Sequence, residues 1–149
     1  MLMKDVCTPD VVTCGPQTSA LEAARLMRKK HVGDLVVVDD PAEERKVLGI
    51  VTDRDLDVEV LGNGLDPGKT TLGKLLQGPV VVANEREDRT TVIERMNKHG
   101  VRRLPVVDDE DTVVGIITLD DLLRLCVADA AALLEVMAKG QARERRSRR

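Results

Sequence analysis

The chain is 149 residues long and contains no Phe, Tyr or Trp beside 22 Val, 18 Leu and 4 Ile. Without an aromatic ring it cannot stack nucleobases on aromatic platforms or cage a quaternary ammonium, so its core is aliphatic. Lys and Arg total 23 against 26 Asp and Glu, yet residues 139–149 are net +5 and leave −8 for the rest, an acidic body with a basic end.

A chain of this size buries enough surface to fold without a disulfide or a metal. Cys7, Cys14 and Cys126 show no CxxC spacing and read as small core residues in a reducing compartment, with Cys126 on the apolar face of the last helix. No apolar run approaches the ~20 residues of a membrane span. The N-terminus carries no apolar targeting segment, so a soluble, cytoplasmic protein without a membrane partner is expected.

In chain order, Val11 to Thr13 reads as a short strand. It leads into an amphipathic helix with Thr18 or Ser19 as its N-cap, Glu22 completing a capping box with Ser19, and an apolar stripe of Leu21, Ala24 and Met27. Two β-branched strands follow, Leu35 to Val38 and Val47 to Val51, whose unbroken apolar runs predict burial on both faces. A second helix runs from Asp53 to Leu61. Residues 1–61 form one unit, and the Gly/Pro-rich stretch 62–71 is a linker. Residues 72–138 then repeat the order. The strand Val80 to Ala83 precedes a helix capped by Asp88, with Val92, Ile93 and Met96 facing inward. Strands Leu104 to Val107 and Val113 to Ile117 follow, and a longer helix runs from Leu119 to about Lys139, ahead of a basic tail at 139–149.

The two copies align residue by residue. Met27 matches Met96, Val32 matches Val101, Leu35 matches Leu104 and Asp39-Asp40 matches Asp108-Asp109. After three extra residues in the polar stretch Pro41 to Lys46, Gly49, Ile50, Thr52 and Asp55 match Gly115, Ile116, Thr118 and Asp121. A length difference confined to a loop is what two copies of one folded unit show. The expected fold is α/β (α+β), β-α-β-β-α twice.

With Gly49-Ile50-Val51-Thr52-Asp53-Arg54-Asp55 and Gly115-Ile116-Ile117-Thr118-Leu119-Asp120-Asp121 in matching places, the chain resembles a tandem pair of CBS domains, the family named after cystathionine β-synthase. Glu22 to Met27, His31 to Asp39 and Val101 to Asp108 carry further markers, and the resemblance extends from Met3 to Leu125. It implies a Bateman module, two repeats about a pseudo-two-fold axis. Two clefts in such a module commonly bind adenosine compounds such as AMP, ADP, ATP or S-adenosylmethionine. It also implies regulation of a partner protein in place of catalysis, and a homodimer formed through helices, here those carrying Leu21, Met27, Val92 and Met96. No effector domain lies within the 149 residues, so a stand-alone regulator is expected and its regulated partner is unnamed.

Thr52 and Thr118 are suited to cap the helices that follow them, with Asp55 and Asp121 near the positive end of the helix dipole. The same geometry suits ligand oxygens: a helix N-terminus takes phosphate, and a carboxylate one turn in can accept a ribose diol. The resemblance assigns Asp55 and Asp121 that ribose contact. It groups Ile50, Thr52, Arg54 and Asp55 with Val82, Ala83, Val101, Arg102 and Arg103 in one cleft. The other cleft groups Ile116, Thr118 and Asp121 with Thr13, Val32, Gly33 and Asp34. Three arginines make the first the expected seat of a phosphorylated adenosine, since guanidinium grips phosphate bidentately. The second, with Asp34, Asp120, Asp121 and no nearby arginine, is expected to be empty or to take a less anionic compound.

Other motifs lead elsewhere less well. The stretch Gly62 to Thr70 nearly matches a phosphate-binding loop but has Asn63 at the first required glycine and Pro67 where an amide is needed. His31 and His99 stand at helix ends, where the dipole favours them. No catalytic constellation or metal cluster is evident. A rival function is nucleic-acid or acidic-partner binding through the arginine-rich tail, disfavoured for nucleic acid because the body offers no base readout. A third is a structural association module with empty clefts.

Overall fold

The computed structural model describes residues 1–148. They fall into two compact units, Met1–Ile117 and a second from Thr118 onward. The first holds α1 (Met3–Val6), β1 (Thr13–Cys14), α2 (Ala20–Lys30), β2 (Asp34–Asp40), β3 (Arg45–Thr52), α3 (Asp53–Asp55), a π-helical turn (Leu56–Leu61), α4 (Leu72–Leu75), β4 (Ala83–Asn84), α5 (Arg89–His99), β5 (Arg103–Val107) and all but the last residue of β6 (Val113–Thr118). The second is one helix, α6 (Leu119–Ser147), which takes in residues 139–147 of the basic tail as a continuation of its own backbone.

The strands form two three-stranded sheets of identical order, β1-β2-β3 and β4-β5-β6. In each, a short first strand runs parallel to the middle one, Thr13 beside Val36 and Ala83 beside Val106. These strands begin two or three residues later than expected: Val11, Val12, Val80 and Val81 lie ahead of the paired residues, although Val12 O still accepts the Val36 N–H. β2 is the buried centre of the first sheet: Leu35, Val36, Val37 and Val38 are all 0% exposed, as their unbroken apolar run requires. Val36 and Val38 meet Val107 and Val113 of the second sheet, with Val47, Ile50 and Val82 packed against them, so one aliphatic layer joins the repeats.

Helix α2 begins as expected, Ser19 Oγ accepting the Glu22 N–H at 3.1 Å and Glu22 returning a carboxylate to the Ser19 N–H. Its inward stripe differs from the expected one. Ala20, Ala23 and Met27 are buried, whereas Leu21 and Ala24 are exposed, because the small alanines let the helix lie close to the sheet. In α5, capped by Asp88 on the Thr91 N–H, Val92 and Met96 are buried but Ile93 is exposed. Cys126, expected in a core, is also exposed. The helix expected from Asp53 to Leu61 is one α-turn that widens into a π-turn. The Gly62 N–H bonds the Asp57 carbonyl at 2.9 Å, and a Cβ on Gly62 would lie 2.4 Å from the Val58 carbonyl oxygen.

The leading turn of each repeat docks on the other repeat. Met3, fully buried, gives its N–H to Glu87 O, and Lys4 gives its N–H to Glu85 O, both at 3.0 Å. Reciprocally, Leu72 of α4 is buried in the first repeat's core with Met27, Leu35 and Val51, and its N–H bonds Thr18 O at 2.8 Å. The three-residue insertion in the first repeat is used as well: Glu44 O accepts the Val113 N–H at 2.9 Å and Arg45 Nε donates to Glu110 O at 2.9 Å.

Candidate ligand cleft

β3 lies at the edge of its sheet. Its neighbour Val36 gives its N–H to Val12 O on the far side, at 3.0 Å. The Val36–Ile50 pair is therefore of the non-hydrogen-bonded kind, and the Ile50 N–H and C=O point outward from the edge. They face a cavity of about 490 Å³, within the usual range for a small-molecule site. Its walls come from both repeats: Gly49, Ile50, Thr52, Asp53 and Arg54 on one side, Val101, Arg102 and Arg103 on the other.

Thr52 caps the turn at the cavity floor. Its Oγ1 accepts the Asp55 N–H at 3.1 Å and its own N–H donates to Asp55 Oδ2 at 2.8 Å, so capping is realised. Asp55 is half-buried with its carboxylate turned back to that amide, and it is outside the cavity lining. Val82 and Ala83 are also outside it. Ala83 is fully buried, and Val82 packs into the inter-sheet layer while its carbonyl accepts Arg95 at 2.7 Å. Arg95 is itself fixed by Glu87, and this hydrogen bond holds the Glu87 carboxyl below its ordinary pKa. Leu76, Gln77, Pro79, Val80 and Val81 line the cavity in their place. The turn signal Gln77-Gly78-Pro79 ahead of a half-exposed Val80 is the trace these residues leave in the sequence.

The electrostatics are more balanced than three arginines suggest. Asp53 lines the cavity beside Arg54, accepting that residue's N–H at 2.8 Å. Arg103 is ion-paired with Asp34, which was expected in a region with no nearby arginine. The remaining residues of that other group are placed as follows. Thr13 donates its hydroxyl to Glu44 at 3.1 Å, Val32 packs on the first core, and the Gly33 carbonyl accepts the Asp53 N–H at 2.9 Å. Ile116 has its outward backbone occupied: its N–H bonds Thr8 O and its carbonyl accepts the Thr8 N–H, both at 2.9 Å. The two equivalent sheet edges therefore differ, with Ile50 facing a cavity and Ile116 closed by Thr8. In the second unit, Thr118 caps α6. Asp121 Oδ2 accepts the Thr118 N–H at 3.0 Å and its hydroxyl at 2.7 Å. Among the described residues there is no group of three or more His, Cys, Asp or Glu that could hold a metal, and no helix is long and apolar enough to cross a membrane.

Two stretches, residues 3–62 and 72–128, match the family model of the CBS domain. The chain belongs to the CBS-domain family. An uncharacterized protein of Methanopyrus kandleri is 33% identical over 137 residues, covering 92% of this CBS pair and 68% of its own length. L-aspartate semialdehyde sulfurtransferase of Methanocaldococcus jannaschii is 33% identical over 124 residues, 83% of this chain but only 23% of that enzyme. Among solved structures, a CBS domain pair in complex with 5′-methylthioadenosine and S-adenosyl-L-methionine superposes with a TM-score of 0.72. It is 30% identical and covers 87% of this chain and 98% of that one.

Proposed function

We propose that this CBS pair binds one adenosine-type ligand per chain in the Ile50 cavity and passes the occupancy signal to a partner protein. The observation that carries the reading is the outward Ile50 backbone at the open edge of β3, one donor and one acceptor suited to the edge of an adenine, beside the aliphatic walls of Ile50 and Val101. The relative crystallised with 5′-methylthioadenosine and S-adenosyl-L-methionine supports the chemical class. AMP, ADP, ATP and S-adenosylmethionine are the candidates, with a ribose contact from the Thr52 hydroxyl, which lines the cavity while Asp55 holds it from behind. Selectivity rests on shape and backbone hydrogen bonds, because no aromatic side chain exists to stack on the base.

Titration calorimetry with these four compounds tests the reading, with one site per chain expected because Thr8 already holds the Ile116 backbone. A bound ligand also raises thermal stability by mass action, about 2.7 kcal/mol at a hundredfold excess over Kd. Val80→Glu, at a half-exposed position of the cavity wall, should abolish binding while leaving the ligand-free melting point unchanged. Binding of none of the four, or undiminished binding by Val80→Glu, would refute the site.

A homodimer is part of the proposal. Its support is an apolar groove of about 440 Å³ on the first unit, lined by Leu21, Ala24, Val60, Leu61, Leu65 and Pro67. Leu61 is 74% exposed there, and grooves of this kind mark association surfaces.

A further inference from the structure

Asp34 and Arg103 hold the same position in the two repeats. Each is the first residue of the middle strand of its sheet, and they stand 69 residues apart, the spacing that relates the copies. Their side chains meet in an ion pair, 24% and 40% exposed respectively. Identical residues at both positions would bring two like charges together, so the pair exists only because the repeats diverge in sign here. Arg103 also lines the nucleotide cavity, whereas Asp34 stands outside the lining. One guanidinium thus faces two acceptors. Its Nη1 is committed to a carboxylate of the same chain, while the donors of its fork are what a ligand phosphate needs.

We propose that Asp34 competes with ligand phosphate for Arg103 and thereby sets how strongly the cavity prefers phosphorylated over unphosphorylated adenosine compounds. Asp34 is a positioning residue that acts through Arg103, and the inference rests on the adenosine reading given above. A phosphate gains from Arg103 only the difference between its own pairing and the pairing it displaces. Adenosine, lacking an anion, is indifferent to the contest. Arg54 and Arg102, whose side chains have no carboxylate partner among the described residues, give their attraction to phosphate in either case.

The test is calorimetry on the full chain with adenosine, AMP and ATP at one ionic strength. It compares wild type, Asp34→Asn, Asp34→Glu and the double variant Asp34→Asn/Arg103→Gln. Partly exposed ion pairs are weak to moderate, so Asp34→Asn is expected to tighten AMP and ATP by about threefold to tenfold. Adenosine should be unchanged, Asp34→Glu should keep the wild-type ratio, and the double variant should lose the gain. An ATP-to-adenosine ratio that is the same in Asp34→Asn as in wild type overturns the inference while leaving the ligand reading intact. If no compound binds any variant, including wild type, the ligand reading fails and this inference with it. If Asp34→Asn fails to fold, the carboxyl carbon resonance of Asp34 in wild-type protein decides. Saturation with ATP should move it and saturation with adenosine should not, and an Asp34 signal indifferent to ATP overturns the inference.

Discussion

The glycine that precedes Ile in each repeat is under different constraint in the two copies, and Gly115→Ala against Gly49→Ala measures the difference. A methyl at residue 115 would sit 2.5 Å from Cys7 Sγ and 2.9 Å from the Thr8 carbonyl oxygen. That oxygen is fixed by the Ile116 N–H, so the backbone of residues 7 and 8 would have to move and the Thr8–Ile116 bonds would stretch. A methyl at residue 49 meets Leu76 Cδ2 at 2.8 Å, the tip of a flexible side chain on the cavity wall. Neither glycine is in the left-handed region, so alanine also gains about 0.4–1 kcal/mol by restricting the unfolded chain. Overpacking costs about 1–3 kcal/mol where backbone must shift. The net expectation is a loss of about 1–2 kcal/mol for Gly115→Ala and a change within about 0.5 kcal/mol for Gly49→Ala. For a chain of this size that is a fall in Tm of about 3–8 °C for the first variant. Urea unfolding with an unchanged m-value gives the energies, and faster amide exchange at Thr8 and Ile116 should accompany the first loss. Equal losses in the two variants, or a larger loss at residue 49, would show that the N-terminal segment does not press on β6 as described.

Two further outcomes are expected. Burial raises the Cys14 thiol from 9.0 to about 11, so below pH 9 it is protonated in both folded and unfolded chains. Between pH 9 and about 11 the unfolded chain loses its proton first, and stability falls as pH rises. Cys14→Ala should remove that part of the alkaline decline, which no tyrosine obscures, and an identical pH profile in the variant would refute the assignment. Leu61→Glu, on the rim of the apolar groove, should convert the expected homodimer to a monomer in size-exclusion light scattering without lowering secondary structure, and a monomeric wild type would remove the groove's proposed role.

The duplicated order of elements is readable because the two copies check each other: a Gly-Ile-x-Thr-x-x-Asp string that recurs behind matching strands fixes register better than either copy alone. The caps at Ser19, Asp88, Thr52 and Thr118 are local in sequence and are found where local rules place them. What is not legible depends on distance. Helix α2 carries apolar residues at Ala20, Leu21, Ala23, Ala24, Leu26 and Met27, too broad a band for periodicity to say which edge faces the sheet. The structure turns Ala20 and Ala23 inward and leaves Leu21 and Ala24 to the groove. The π-turn needs Gly62, but a glycine at a helix end reads equally well as a terminator. The Asp34–Arg103 pair joins residues whose separation is the repeat length itself, so nothing near either residue announces the other. The cavity wall from Leu76 to Val81 is illegible for a related reason, since irregular chain that bends at Gly78 leaves no period to detect.

The reciprocal docking of the leading turns also bears on how the chain is made. As the first repeat leaves the ribosome its core lacks Leu72, which closes the layer of Met27, Leu35 and Val51. The buried Met3 waits longer still, for Glu85 and Glu87 to be synthesised. Contacts of such sequence separation form late and slowly. A half-made chain therefore exposes an unfinished aliphatic face until the second repeat arrives to cover it, and neither repeat, cut out by its sequence boundaries, carries a complete core of its own.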